Sequence, residues 1–238
     1  MKILGLDSSG LVASVALVEE DNLIGEYTIN YKKTHSQTLL PMLDELKKMT
    51  ELDLDTIDAI AIAAGPGSFT GLRIGSATAK GLGLALDKPI VPVPTVDALA
   101  YNLCGHRDVV CPLMDARRNQ TYTGLYVFDG NQMKTLLTQC AVDIKEVLDK
   151  INEIGKAVVF LGDGVPVFQE EIRTNLQVPY TFAPAHVNKQ RAASVATLGS
   201  VLLSQGKYED AASHAPEYLR LSQAERERLA KAEKESLA

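Results

Sequence analysis

Cysteine is scarce in this chain, and what there is forms no pattern. Cys104, Cys111 and Cys140 lack metal-type spacing and give no even set for disulfides. That argues against a disulfide-stapled scaffold and points to reduced, cytoplasmic surroundings. Cys104 and Cys111 read as small packing residues rather than ligands. No apolar run approaches the roughly 18 residues of a membrane helix. The N-terminus enters a strand pattern at once, without a signal-peptide pattern. Histidine is sparse too: His35, His106, His186 and His214 make no His-x-x-x-His or other zinc spacing. His35, at a helix start, reads as a structural or interface residue. No serine elbow or cysteine-nucleophile signature occurs. Basic clusters are missing, and the formal net charge is −6. Tight, direct nucleic-acid binding by this chain alone is therefore not expected.

What is present suits a soluble globular protein of one large or two small domains: 238 residues, 46% hydrophobic and 23% charged. Lys2 to Asp7 reads as a strand ending in an acid, then comes a Ser8-Ser9-Gly10 turn. Segments 12–18 and 23–31 complete three successive strands. Leu39, Leu40, Met42, Leu43, Leu46 and Met49 then predict an amphipathic helix over 36–49, with Pro41 tolerable only near its start or bending it. A strand (59–64), a glycine turn, a helix to Leu86, a strand (90–93) and a helix (95–103) follow.

The second half has the same order. It runs through strands 109–115, 122–128 and 133–138, a helix over 143–152 capped by Asp143, and a strand over 157–161. Gly162-Asp163-Gly164 and helices 166–176 and 191–205 complete it. Strand–strand–strand–helix–strand–turn–helix thus occurs twice, giving an α/β chain with lobes 1–103 and 104–207 and a return segment with a charged tail, 208–238. Ser222 and Glu225 suit a capping box in that tail. Two such lobes would set Asp7 and the 65–67 turn opposite Asp115 and the 162–164 turn. Open α/β sheets bind ligands in such crevices.

Gly65-Pro66-Gly67-Ser68-Phe69-Thr70-Gly71-Leu72-Arg73-Ile74-Gly75 leaves backbone N–H groups at a helix start, where an anion is favoured. The spacing is neither a P-loop nor G-x-G-x-x-G. A phosphate cradle and a tight packing turn both fit it. Asp7 and Asp115 fit a metal–phosphate role, or each caps its own turn. Gly71, Gly75, Ala79 and Gly83 fall at four-residue steps and make one small-residue ridge. Helical glycines cost about 1 kcal/mol each against alanine, so close packing must offset them. The packing partner is either the chain's own sheet and first helix or a second subunit.

Three stretches carry a resemblance over residues 1 to about 221: Ile3 to Ser9, Thr34-His35-Ser36-Gln37-Thr38-Leu39-Leu40-Pro41, and Gly65 to Gly75. Met114-Asp115-Ala116-Arg117 and Pro216-Glu217-Tyr218-Leu219-Arg220 add to it. The chain resembles the TsaB (YeaZ) family of bacterial tRNA threonylcarbamoyladenosine biosynthesis proteins. The resemblance implies a two-lobed actin-like (ASKHA) fold of duplicated, RNase H-like βββαβα order. It implies a non-catalytic scaffold role in forming N6-threonylcarbamoyladenosine beside the anticodon of tRNAs reading codons that start with A. It implies TsaD as partner, TsaE docking on the TsaB–TsaD pair, a homodimer when TsaD is absent, and tRNA contact at most indirect. TsaC would supply threonylcarbamoyl-adenylate from threonine, bicarbonate and ATP. No cofactor is implied for this chain; ATP and metal belong to partner subunits.

TsaD holds its metal through a His-x-x-x-His pair, and Thr95 and Leu99 stand where those histidines would be. The same resemblance makes helices 36–49 and 70–86 the partner interface, with His35, Leu39, Leu43, Gly71, Gly75, Ala79 and Gly83 as its residues. Asp7, Ser8, Ser9, Gly65, Gly67, Asp115, Gly162 and Asp163 would then be a vestigial nucleotide site. The competing reading is an actin-like nucleotide-binding protein or ATPase, although Asp7-Ser8-Ser9 lacks the glycine of an Asp-x-Gly-Thr phosphate hairpin. A metal-dependent peptidase finds no ligand set.

Overall fold

The alternation of alanine and isoleucine in Ala59–Gly65 (β4) gives the first sheet two unlike faces. A computed structural model describes residues 1–31 and 34–219. The charged tail and its Ser222–Glu225 capping box lie outside the described residues. β4 pairs in parallel with Lys2–Asp7 (β1), which pairs antiparallel with Ala13–Glu19 (β2). Asn22–Ile29 (β3) and Ile90–Pro94 (β5) complete the order β3-β2-β1-β4-β5. Successive strand residues face opposite sides. Leu4, Leu6, Ile60 and Ile62 therefore join the core under His35–Met49 (α1) and Phe69–Leu86 (α2), while Ile3, Ala59, Ala61 and Ala63 face away.

α1 forms as its period predicts, burying Leu39, Met42, Leu43 and Leu46, and runs on through Pro41. Ser68 caps α2 by accepting from the Gly71 N–H at 3.3 Å. Thr95–Tyr101 (α3) closes the first lobe.

The second lobe repeats the plan with Val109–Asp115 (β6), Gln120–Asp129 (β7), Gln132–Asp143 (β8), Ile144–Ile154 (α4), Val158–Leu161 (β9) and Val165–Asn175 (α5). Asp143 caps α4, accepting from the Lys145 N–H at 2.9 Å. A short strand unforeseen in the sequence, Tyr180–Phe182 (β10), gives the order β10-β9-β6-β7-β8. Each half thus holds three antiparallel strands, then two parallel ones joined through helices.

The last helix of the described residues, Ala192–Ser204 (α6), belongs by sequence to the second-lobe segment. It packs on the first sheet, where Val195, Ala196 and Leu198 meet Ile3, Ala61 and Val93. The small face of that sheet permits close approach. A Cβ at Gly5 would collide with the Ala192 carbonyl, and Gly199 lies over Ala61. α3 makes the complementary contact, placing Val96, Leu99 and Ala100 against Val110, Met114 and Tyr126 of the second sheet. The lobes are therefore joined by an exchange of helices.

Glu26 of β3 fixes the start of α6. One carboxylate oxygen accepts from the Ala193 N–H at 3.0 Å, and the other pairs with Arg191. Glu26→Ala should lower stability by about 2 kcal/mol, read as a shifted urea midpoint with unchanged slope. An unshifted midpoint would mean that α6 does not depend on this anchor.

Candidate functional site

Two polar clusters form, one in each lobe. In the first, Asp7 is fully buried at the end of β1, and its Oδ1 accepts from the Ser9 N–H at 2.9 Å and the Ser9 hydroxyl at 2.7 Å. Burial drives its carboxyl up to about 6, against the smaller opposing effects of Ser9 and His35. The Ser8 hydroxyl donates to the Gly71 carbonyl at 2.9 Å, and the Ser68 N–H donates to the Ser9 carbonyl at 2.6 Å. A Cβ at Gly67 or Gly71 would strike the Ser9 or Ser8 carbonyl. His35 clamps the same turn: its Nε2 lies 2.8 Å from the Gly10 carbonyl. A carbonyl only accepts, so Nε2 carries the proton.

Several of the glycine turn's donors are already used. The Gly65 N–H donates to the Thr95 hydroxyl at 3.1 Å, and the Glu217 carbonyl closes over Gly65, whose φ is +133°. The Glu217 N–H in turn donates to the Ala64 carbonyl at 2.7 Å. Tyr218 stacks on Phe69 with centroids 4.8 Å apart, and the Arg73 guanidinium lies 4.1 Å from the Phe69 centroid. The 209–219 segment is thus a strap across the start of α2. Nothing in its sequence had marked it as touching this turn.

In the second lobe Asp115 caps its own turn, its Oδ1 accepting from the Arg117 N–H at 2.8 Å. The Asp115 side chain is 18% exposed and also pairs with Arg117 at 3.1 Å. Asp163 lies beside it. Burial raises the Asp163 carboxyl, while Lys189 and the backbone N–H groups of Asp115 and Asp163 oppose the rise. The Gly162 N–H donates to the Asn188 carbonyl at 2.9 Å, and a Cβ at Gly162 would hit the Leu113 carbonyl.

Between the clusters runs 188–191, which the sequence reading missed. Lys189 acts on Asp163, while the adjacent Gln190, 1% exposed, lies flat on Gly10. Both Gln190 amide atoms are buried without a hydrogen-bond partner. An actin-like nucleotide site needs free N–H groups and an open approach to these turns. Here the Gly65, Ser68 and Gly71 N–H groups are spent on Thr95, Ser9 and Ser68, while Gln190 covers Gly10 and Glu217 covers Gly65.

Thr95 is fully buried and Leu99 is 1% exposed, packed into the interlobe core. Among the described residues no three His, Cys, Asp or Glu side chains group to hold a metal ion.

Of the seven expected interface residues, all but His35 are buried within the chain itself. Leu39 and Leu43 belong to the core over the first sheet. The small ridge also faces inward. A Cβ at Gly75 would collide with the Ser8 hydroxyl and reach Ile62, Ala79 is 0% exposed, and Gly83 lies against Ala211 and the Lys88 carbonyl. His35 is half-buried on the Gly10 turn. The physical reason is that a ridge without side chains lets α2 sit deep on its own sheet and turn. The outward face of the pair is different: Leu40, 53% exposed, and Asp44 on α1, with Arg73, Ala77, Gly81 and Leu84 on α2.

A tRNA threonylcarbamoyladenosine biosynthesis protein TsaB from Bacillus subtilis (strain 168) is 32% identical over 225 residues, covering 94% of this chain and 96% of that one. The chain belongs to the TsaB family. A TsaB protein from Haemophilus influenzae is 38% identical over 51% of this chain and 52% of its own. YeaZ from Pseudomonas aeruginosa superposes with a TM-score of 0.79 at 26% identity, covering 92% of this chain and 99% of that structure. The family model of TsaD, tRNA N6-adenosine threonylcarbamoyltransferase, matches residues 22–228. A polyphosphate/ATP-glucomannokinase from an Arthrobacter strain, at 10% identity and a TM-score of 0.51, shares the two-lobed fold alone. Membership of the TsaB family ties the chain to threonylcarbamoyladenosine biosynthesis in tRNA. No helix of the described residues is long and apolar enough to cross a membrane.

Proposed function

We propose that this chain is a non-catalytic, partner-binding subunit of the threonylcarbamoyl-transfer machinery, pairing with a TsaD protein and supporting TsaE on that pair. The observation that carries this reading is at positions 95 and 99. In TsaD-like chemistry these would be metal-binding histidines. Here Thr95 receives the Gly65 N–H and Leu99 fills the interlobe core. Neither side chain replaces an imidazole ligand, and both are spent on packing. A chain committed in this way contributes surface rather than chemistry, and ATP and metal belong to its partners.

The surface that supports the reading is the outward face of α1 and α2 rather than the inward ridge. Leu40 and Leu84 are 53% and 60% exposed, and Gly81 sits in open space in mid-helix. An exposed helical glycine costs about 1 kcal/mol against alanine, a cost that close approach of a partner helix would offset. The same face would pair two copies of this chain when TsaD is absent.

Calorimetry with ATP and Mg²⁺ separates this reading from an actin-like nucleotide-binding protein. No micromolar binding is expected from the isolated chain. Micromolar binding lost in Asp7→Asn would overturn the reading in favour of a working nucleotide site.

A further inference from the structure

The two edges of the first sheet differ. At β5, Ile90 and Glu209 exchange backbone hydrogen bonds of 3.0 and 2.9 Å, so the 209–219 strap covers that edge. The opposite edge is β3, and no described strand pairs with its outer side. A bare edge presents unpaired N–H and C=O groups, which proteins guard with lysine, proline or a covering segment. In the second sheet the β10 edge is three residues long and the β8 edge carries Lys134. The eight residues of β3 include neither lysine nor proline. Its one charge, Glu26, is turned to Arg191 and the start of α6. Leu23, Ile24 and Ile29 are exposed on it, and Tyr31, just beyond, is 70% exposed.

A groove runs along each flank of this edge. Tyr27, Ile29 and Tyr31 line one of about 440 Å³ with Pro41 and Met42 of α1. Glu26, Thr28 and Asn30 line the other, of about 480 Å³, with His186, Asn188 and Lys189. Odd and even residues thus face opposite grooves, as strand alternation requires. A strand added at this edge would send alternate side chains toward an apolar groove and a polar one. β3 carries that alternation itself. Its ladder has one irregularity: Ile24 is an extra residue against β2, where the register passes from Gly25 opposite Leu17 to Leu23 opposite Val18. Such a bulge interrupts regular pairing, so the usable edge begins at Gly25.

We propose that β3 pairs antiparallel with β3 of a second copy of this chain, about a two-fold axis through Thr28, joining the two first sheets into one. Directly opposed residues face the same side of a sheet, so the axis must pass through a residue, and Thr28 is the choice that uses all of Gly25 to Tyr31. Tyr27 then lies opposite Ile29 of the second copy, an aromatic–β-branched pair, and Tyr31 lies opposite Gly25. Glu26 meets Asn30, whereas an axis through Glu26 would oppose two carboxylates. The ends are complementary in charge. Glu20-Asp21 precede the strand and Lys32-Lys33 follow it in sequence, and an antiparallel pair brings the acidic end of each copy toward the basic end of the other. The contact is isologous and closes at two copies. It uses β3 and the Pro41 flank of α1 and leaves Leu40, Gly81 and Leu84 free, so it is independent of the α1–α2 pairing proposed above.

Cross-linking of the full chain tests the register. Thr28 is exposed and lies on the axis, so Thr28→Cys sets two thiols opposite each other, with Cα atoms about 5 Å apart and within disulfide reach. Ser14, which bonds the Thr28 hydroxyl at 2.7 Å, keeps the Ala192 N–H at 2.9 Å, so the variant should fold. With oxidised glutathione as oxidant, a covalent dimer is expected from Thr28→Cys. Asn22→Cys, exposed at the far end of the same strand, should give none, and neither should the wild type with its own cysteines. The covalent dimer should persist when Gly81→Trp is added. Its loss there would mean pairing through α2, which overturns this proposal and leaves the α1–α2 reading standing. In the Gly81→Trp background, Thr28→Lys opposes two ammoniums and should weaken self-association at least about tenfold by sedimentation equilibrium, with an unchanged circular dichroism spectrum. No covalent dimer from Thr28→Cys, an equal yield from Asn22→Cys, or undiminished association in Thr28→Lys overturns the proposal. None of these outcomes depends on pairing with TsaD.

Discussion

Gly81→Trp should weaken pairing with a TsaD protein by at least about 100-fold while leaving the fold intact. A Cβ at Gly81 meets no heavy atom within 4 Å, so the indole has room in the isolated chain. A partner helix lying against the same spot does not leave that room. The contrast is Gly75→Leu, four positions away from Ala79 on the opposite side of α2. There even a Cβ collides with the Ser8 hydroxyl and comes within 3.0 Å of Ile62 Cδ1. Overpacking against the buried Ser8 and Ile62 side chains should cost about 3 kcal/mol or more, with partner binding lost only because the chain unfolds. Circular dichroism with a pull-down of purified TsaD separates the two. If Gly81→Trp binds as the wild type does, the outward face of α2 is not the interface. If Gly75→Leu folds normally, the inward packing is misassigned.

The duplicated order of strands and helices was legible because each lobe writes it in periodicity. The 3.6-residue pattern of α1, the alternation in β4 and the acid-ended β1 and β6 all came through with small boundary shifts. β10 did not. It is three residues long, flanked by Pro179 and Pro184, and defined by its pairing with β9 rather than by any local pattern. The exchange of α3 and α6 between lobes was equally invisible. Both helices are apolar on more than one side, and nothing local says which sheet each will cover. In retrospect the alanine face of β4 was a signal, since a strand with small residues on one side invites a close helix.

The ridge shows how a correct observation can yield the wrong direction. Four-residue spacing of Gly71, Gly75, Ala79 and Gly83 does mean close approach. Sequence alone does not say whether the approaching backbone belongs to the same chain. Here the Ser8 carbonyl, the Lys88 carbonyl and the side chain of Ala211 fill the space. Gly81 lies outside that four-residue series and is the glycine whose cost the isolated fold does not offset. The site was half legible in the same way. Asp7 and Asp115 were recognised as ends of strands, with self-capping as one reading, and each does cap its own turn. The covers, Gln190 and Glu217, come from distant segments with no motif to announce them.

Asp7→Asn should stabilise the chain at neutral pH, and the gain should vanish in acid. Burial pushes the folded Asp7 carboxyl up to about 6 from its ordinary 3.8, outweighing the two bonds from Ser9. A carboxyl whose folded value is raised holds its proton more tightly in the native state. Its contribution is most favourable below the unfolded value and is lost as pH rises through the folded one. Above that, wild type carries a buried charge costing about 3 kcal/mol. Asparagine keeps an oxygen for the Ser9 N–H and hydroxyl but never ionises. Asp97 and Asp163 are also raised by burial and add the same slope to both proteins, so the difference between variant and wild type isolates Asp7. Urea unfolding at about pH 3.5 and about pH 7.5 should show near-equal stability at the first and a clear advantage for the variant at the second. A variant less stable than wild type at the higher pH would mean that the charge on Asp7 is wanted. That would return the Asp7–Ser9 turn to consideration as a working anion- or metal-handling element rather than a self-capped remnant.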